Sequence, residues 1–237
     1  NHGPSDARAF LRSFLVHYAR RTDRQLIFFP PAVSVTTVLE MLKDRTDILV
    51  GVQNIHWEDK GAFTGELSAG MARGAGATVA LVGHSERRHV FGERDEETGL
   101  KVAAAVRAGL LPMLCVGETL AEREAGATEQ VVLRQLRAGL ANIEPHQATN
   151  MLVAYEPVWA IGTGKTATPD DASAIHVVIR QELVGMLGER GHAIPICYGG
   201  SVNRGNAAAL LGASEVDGLL VGGASLDAEG WSTIVRT

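Results

Sequence analysis

The sequence predicts an α/β fold of repeated β-α units, either a doubly wound parallel sheet or a (β/α)8 barrel. Three observations carry this reading. Short apolar runs rich in β-branched residues recur along the chain, the longer segments between them are patterned as helices, and the runs are almost unbroken rather than alternating. Parallel strands covered by helices on both faces read in this way. At 237 residues and 46% apolar content the chain can bury a sizeable core. No linker or shift in composition divides it, so one domain over residues 1–237 is expected.

A helix over Ser5–Arg20 opens the order. Strands follow at Gln25–Phe29, Ile48–Gln53, Thr78–Val82, Pro112–Val116, Met151–Tyr155, Ile194–Tyr198 and Gly218–Val221. Between them, Thr119-Leu120-Ala121-Glu122 is a capping box, and Thr168-Pro169-Asp170-Asp171 offers an N-cap, a proline at the first helical position and acids in the first turn. Ile175, Val178, Ile179 and Leu183 then recur on one helix face, and Gly109 and Gly188 mark helix ends. Seven strands preceded by a helix resemble the count of a barrel that lacks its first strand.

Charge and composition exclude several classes. With 27 acidic and 22 basic residues the net charge is −5, which disfavours a nucleic-acid or anionic-membrane surface. No apolar stretch has the length of a membrane span, and Asn1-His2-Gly3-Pro4 does not read as a signal peptide. Cys115 and Cys197 sit in apolar runs without disulfide or metal-site spacing. They read as buried thiols of a reducing compartment, and a cytoplasmic location is expected. His56, His146 and His192 show no ligand spacing and receive no role.

The chemistry-bearing residues gather at strand ends. The run Tyr155-Glu156-Pro157-Val158-Trp159-Ala160-Ile161-Gly162-Thr163-Gly164-Lys165 takes an apolar strand to a carboxylate, stops it with proline and continues into an apolar loop. A carboxylate beside a water-excluding lid suits abstraction of a weakly acidic carbon-bound proton. Gly83-His84-Ser85-Glu86-Arg87-Arg88 follows another strand, where His84 can bond a developing enediolate oxygen as a neutral imidazole. Gly199-Gly200-Ser201 and Gly222-Gly223 follow the last two strands, where backbone N–H groups can approach a phosphate. Gln53 and Asn54 close the second strand. Strand C-terminal ends are where a β/α barrel builds its active site.

Blander readings compete at each position. Gly162-Thr163-Gly164-Lys165-Thr166-Ala167 fits a degenerate dinucleotide pattern, but the helix starts later, at Thr168, and Trp159 stands where a P-loop needs glycine. The glycine pairs could serve tight turns alone. Of Arg87 and Arg88, one is expected to pair with acids at a subunit surface and the other to be solvated. Cys115 reads as a small buried residue rather than a nucleophile.

Six runs, at residues 61–66, 83–88, 114–119, 155–165, 198–203 and 220–225, resemble the triosephosphate isomerase family, in family order and from end to end. The resemblance implies an α/β (β/α)8 TIM barrel, a homodimer, no cofactor and no metal. It also implies interconversion of dihydroxyacetone phosphate and D-glyceraldehyde 3-phosphate through an enediolate, in glycolysis and gluconeogenesis. Residue by residue, it makes His84 the electrophile and Glu156 the base. Gly162, Ser201, Gly222 and Gly223 become phosphate donors, and Glu86 and Cys115 supporting residues. Residues 157–165 become the lid, and Thr64, in the loop Gly61–Glu66, approaches the partner subunit's site. The histidine and glutamate roles are those generally described for this family.

One departure stands at the N-terminus. Family members begin with a strand ending Asn-Trp-Lys-Met whose asparagine and lysine enter the active site. Here Asn1-His2-Gly3 aligns just after that motif, and none of Lys43, Lys60 and Lys101 is expected to substitute. The favoured expectation is a native stretch ahead of Asn1, because a barrel without one strand exposes two edges. The alternatives are a non-catalytic phosphate-binding barrel, or a related isomerase or epimerase acting on another sugar phosphate.

Overall fold

The computed structural model describes residues 1–148, 150–161 and 166–237. Seven parallel strands lie among these residues: β1 (Leu26–Phe28), β2 (Ile48–Val52), β3 (Val79–Val82), β4 (Leu111–Val116), β5 (Leu152–Tyr155), β6 (Ile196–Tyr198) and β7 (Gly218–Leu219). Their spatial order is their chain order, each strand pairing in parallel with the next. A doubly wound sheet reverses its order at a switch point; an unreversed order is that of the barrel. The curled sheet is therefore a TIM-type β/α fold.

The helices connecting and covering these strands are α1 (Pro4–His17), α2 (Val35–Met41), α3 (Ala69–Gly74), α4 (Ser85–His89), α5 (Asp95–Arg107), α6 (Leu120–Glu124), α7 (Thr128–Leu140), α8 (Pro169–Leu187), α9 (Ala207–Leu211) and α10 (Ala228–Ile234). Helix α1 packs on α2 on one side and on α10 on the other, so the outer helical layer runs from the first helix to the last. Aromatic rings fill this seam: Phe28 meets Phe10, Phe14 and Trp231 in edge contacts. Both sequence-read caps form as full capping boxes, Thr119 with Glu122 and Thr168 with Asp171. Helix α1 stops at His17 rather than Arg20. Tyr18 turns extended and buries its ring beneath the Arg45 guanidinium, which also takes the Tyr18 carbonyl as an acceptor.

Side-chain alternation along the strands sorts two cores. Val79, Leu81, Met113, Cys115, Ala154 and Cys197 fill the inside of the curled sheet. Their neighbours Ala80, Val82, Leu114, Val116, Val153, Tyr155, Ile196 and Tyr198 face the helices. Fully buried leucines and isoleucines such as Leu114, Leu136, Ile179 and Leu183 dominate that outer core, each contributing about 1.5–3 kcal/mol by burial. The alternation also places the chemistry. Ala154 is inward and Tyr155 outward, so the next residue, Glu156, returns to the inner parity at the C-terminal rim.

Candidate active site

His84 and Glu156 meet at this rim. His84 Nε2 lies 3.0 Å from Glu156 Oε1. The histidine is the N-cap of α4, and its Nδ1 accepts the Glu86 backbone N–H at 3.3 Å. A ring nitrogen that accepts carries no proton, so the proton resides on Nε2 and the imidazole is neutral. Glu86 thus touches His84 through its backbone, while its own carboxylate is exposed and 3.9 Å from Nδ1.

Glu156 is buried to 2% exposure. Its Oε2 accepts from Ser85 N–H at 3.0 Å and its Oε1 from Ser85 Oγ at 3.2 Å. Burial raises its pKa above the ordinary carboxylate value, opposed by His84, by the Ser85 N–H and by the thiol of Cys115. The Cys115 thiol is itself pushed well up, first by burial and then by the facing carboxylate, so it stays protonated and supports the glutamate as a neutral neighbour.

The segment expected to form the lid leaves β5 through buried Pro157 and makes a single 3-10 turn over Val158–Ala160, with Ile161 following. Trp159 is anchored from below. Its indole N–H donates to Glu118 at 2.8 Å, the Arg123 guanidinium lies over its ring at 4.3 Å, and Tyr155 Oη donates to Glu118 at 3.1 Å. Gly162, Thr163, Gly164 and Lys165 lie outside the described residues.

The two glycine pairs differ. A Cβ on Gly200 would fall 2.1 Å from Tyr198 Oη and 3.0 Å from Pro157, and one on Gly199 would fall 2.9 Å from Glu156 Cγ. These glycines are required by close packing against the base and the lid's first residue. Around Gly222 and Gly223 a Cβ would meet nothing within 4 Å. Both are exposed, and among the described residues neither N–H has a protein acceptor. Ser201, half-buried, follows Gly199 and Gly200 after β6. Such open, unsatisfied N–H groups suit a phosphate. A wider groove of about 390 Å³, lined by Asn203, Arg204, Ala224 and Asp227, lies apart from His84 and Glu156 and carries an Arg204–Asp227 ion pair rather than an acid-base pair.

Comparison with known proteins agrees with this geometry. The sequence model of the family described as triosephosphate isomerase matches residues 1–237. The chain belongs to the triosephosphate isomerase family. The triosephosphate isomerase of Moorella thermoacetica is 51% identical over 212 residues, covering 90% of this chain and 85% of that protein. That of Roseiflexus sp. is 47% identical over 232 residues, covering 98% and 91%. The crystal structure of triosephosphate isomerase from Bartonella henselae superposes with a TM-score of 0.88 at 37% identity, covering all of this chain and 94% of the other.

Within this triosephosphate isomerase fold, several residues invisible to motif reading hold the site. Glu93 and Lys101 form a buried ion pair; Lys101 Nζ also donates to Asn54 Oδ1 at 2.7 Å. Glu93 Oε1 accepts the Gly83 N–H at 3.1 Å, beside His84. Lys101 therefore braces the histidine turn from outside. Neither arginine of the 87–88 pair is merely solvated, contrary to expectation. Arg87 bonds Glu93 and covers the Phe91 ring, while Arg88 bonds Asp95, the Gly83 carbonyl and the Cys115 carbonyl. His56 is buried between Trp57 and Phe63 and touches no site residue. Thr64 is exposed, as is the whole loop Gly61–Glu66. Among the described residues no helix is long and apolar enough to cross a membrane.

Proposed function

We infer that the chain interconverts dihydroxyacetone phosphate and D-glyceraldehyde 3-phosphate by proton transfer through an enediolate. The observation that supports it best is the pair His84–Glu156, a neutral imidazole N–H and a buried carboxylate side by side at the rim. Glu156 takes a proton from the hydroxyl-bearing carbon beside the carbonyl and returns it to the former carbonyl carbon, while the hydroxyl proton passes to the former carbonyl oxygen. The Nε2–H of His84 turns from Glu156 to the substrate oxygen on which charge develops. Burial serves this step twice: it strengthens the carboxylate as a base and keeps water from the enediolate phosphate. Gly222, Gly223, Ser201 and, by resemblance, Gly162 grip the phosphate, and the lid over Pro157–Lys165 closes above it.

Turnover of dihydroxyacetone phosphate in a coupled assay is the test, with Glu156→Asp as the probe. Withdrawing the carboxylate by one methylene should lower kcat on the order of 10²-fold. Binding of 2-phosphoglycolate without turnover by the unaltered protein would overturn the reading in favour of a phosphate-binding barrel.

A homodimer in the cytoplasm completes the proposal. Phe63, 42% exposed, stands on the loop that carries Thr64, and Met71 at 60% and Phe91 at 66% are further exposed large apolar side chains that a second copy could cover. Both cysteines are free, as a reducing compartment keeps them. A sedimenting mass of one chain would exclude the dimer.

A further inference from the structure

Gln135 is a polar side chain on the apolar face of α7, one turn from Val131 and Val132 and next to Leu136, and only 4% of it is exposed. Both ends of its amide are engaged. Oε1 accepts the Gly117 N–H at 2.7 Å and Nε2 donates to the Gly117 carbonyl at 3.2 Å. A helix side chain has thereby taken both backbone groups of a single residue just past β4.

Gly117 is where the catalytic glutamate rests. Register pairs Cys115 with Ala154 and Val116 with Tyr155, and the ladder runs on past both strands. Glu156 N–H donates to the Val116 carbonyl at 2.7 Å, and Val158 N–H to the Glu118 carbonyl at 3.0 Å. Between these two bonds the backbones approach so closely that a Cβ on Gly117 would fall 1.8 Å from the Glu156 carbonyl oxygen. Residues 116–118 are thus a shelf. Its first residue holds the base, its last holds the lid through Val158 and, by its side chain, Trp159. Among the described residues, the peptide groups of its middle residue are hydrogen-bonded only from behind, by Gln135.

We propose that Gln135 is a positioning residue of the isomerase: by clamping the Gly117 peptide it fixes the shelf that sets the Glu156 backbone and the start of the lid. This rests on the isomerase reading above. Gln135 touches no substrate, so its effect passes through Glu156 and falls on the chemical step. The open N–H groups at Gly222 and Gly223 belong to other elements and keep their grip on the phosphate. Loss of the clamp therefore lowers kcat per folded active site and leaves KM nearly unchanged; unfolded protein lowers only the apparent kcat, a loss that vanishes on normalising to the folded concentration.

Two variants test it against Gln130→Met, a substitution at an exposed position of the same helix. Gln135→Met keeps the bulk and removes both hydrogen bonds; kcat of the folded protein should fall about tenfold with KM within about twofold. Gln135→Glu supplies a switch. As a neutral acid the new side chain can still accept from Gly117 N–H and donate to its carbonyl; as an anion it can no longer donate. The ratio of its kcat to that of the unaltered protein should fall as pH rises from about 6 to about 9, the range in which a buried glutamate titrates. If Gln135→Met does not fold, this ratio decides alone. Turnover by the unaltered protein together with an undiminished kcat in Gln135→Met, or with a flat ratio for Gln135→Glu, would overturn the inference. Absence of turnover in the unaltered protein would remove the isomerase reading and this inference with it.

Discussion

The two halves of the proposed catalytic pair, His84 and Glu156, are braced by the same device built from different chemistry. Beside each reacting side chain stands a glycine whose peptide is gripped from the helix layer. At Gly83, next to His84, the grip is ionic: Glu93 takes the N–H and Arg88 the carbonyl, with Lys101, Arg87 and Asp95 as counter-charges. At Gly117, beside Glu156, the grip is a single neutral amide. The difference follows from what each side chain must do. Burial is the largest influence on the proton affinity of Glu156, and a neutral amide on the adjoining Gly117 peptide adds no further charge beside it. The Glu86 N–H on Nδ1 leaves the His84 proton on Nε2, and the charges acting one residue away on the Gly83 peptide each have an opposite neighbour.

The glycines themselves differ in the same sense. Gly83 needs a left-handed backbone, with φ at +70°, and a Cβ there would press on the Arg88 guanidinium at 2.8 Å. Gly117 is demanded by contact alone, since its missing Cβ is the space occupied by the Glu156 carbonyl. One turn is shaped by conformation and charge, the other by fit.

Breaking the ionic brace gives the larger stability effect expected from this comparison. Glu93→Gln leaves the Lys101 ammonium, 3% exposed, without its carboxylate. Stripping one partner from a buried pair costs about 3–5 kcal/mol. Chemical denaturation should therefore show a large loss for Glu93→Gln, with part of it recovered in the double variant Glu93→Gln/Lys101→Met, where no buried charge is stranded. Equal stability of Glu93→Gln and the unaltered protein would mean that the pair is solvated and that the brace is not ionic in substance.

Much of this architecture is legible in the sequence because strand ends and caps leave local signals. The unbroken apolar runs give the strands to within a residue or two, and Thr119 and Thr168 announce their helices. His84 and Glu156 are visible because each terminates a strand. The braces are not, because each depends on a helix face meeting a particular peptide. Lys101 and Gln135 read as polar residues of amphipathic helices. The only hint is their phase: Lys101 follows Thr98 by three and precedes Ala105 by four, and Gln135 lies among Val131, Val132 and Leu136, so both interrupt an apolar stripe. The αL turn at Gly83 and the shelf at Gly117 likewise require two strands in register before their glycines acquire a reason. The split between the glycine pairs is of this kind too, since packing claims 199–200 and leaves 222–223 open.

The smallest effect sharpens the contrast through pH. Desolvation is the dominant influence on Glu156 and disfavours its anion, so the free enzyme's base becomes protonated at a pH above the 4.5 of an ordinary glutamate. The acid limb of kcat/KM should accordingly lie above that value, falling by one proton as pH drops through the raised pKa. The same shift bears on folding with a definite sign. A carboxyl whose folded pKa is raised favours the native state below its unfolded pKa, and that contribution is lost as pH rises through the folded value. Glu156 thus costs stability under the conditions in which it is an active base. Its two braces should respond differently: Glu93→Gln acts on the histidine turn and should leave the acid limb in place while lowering its plateau. An acid limb at the ordinary carboxylate value would show that water reaches Glu156 and that burial does not set its proton affinity.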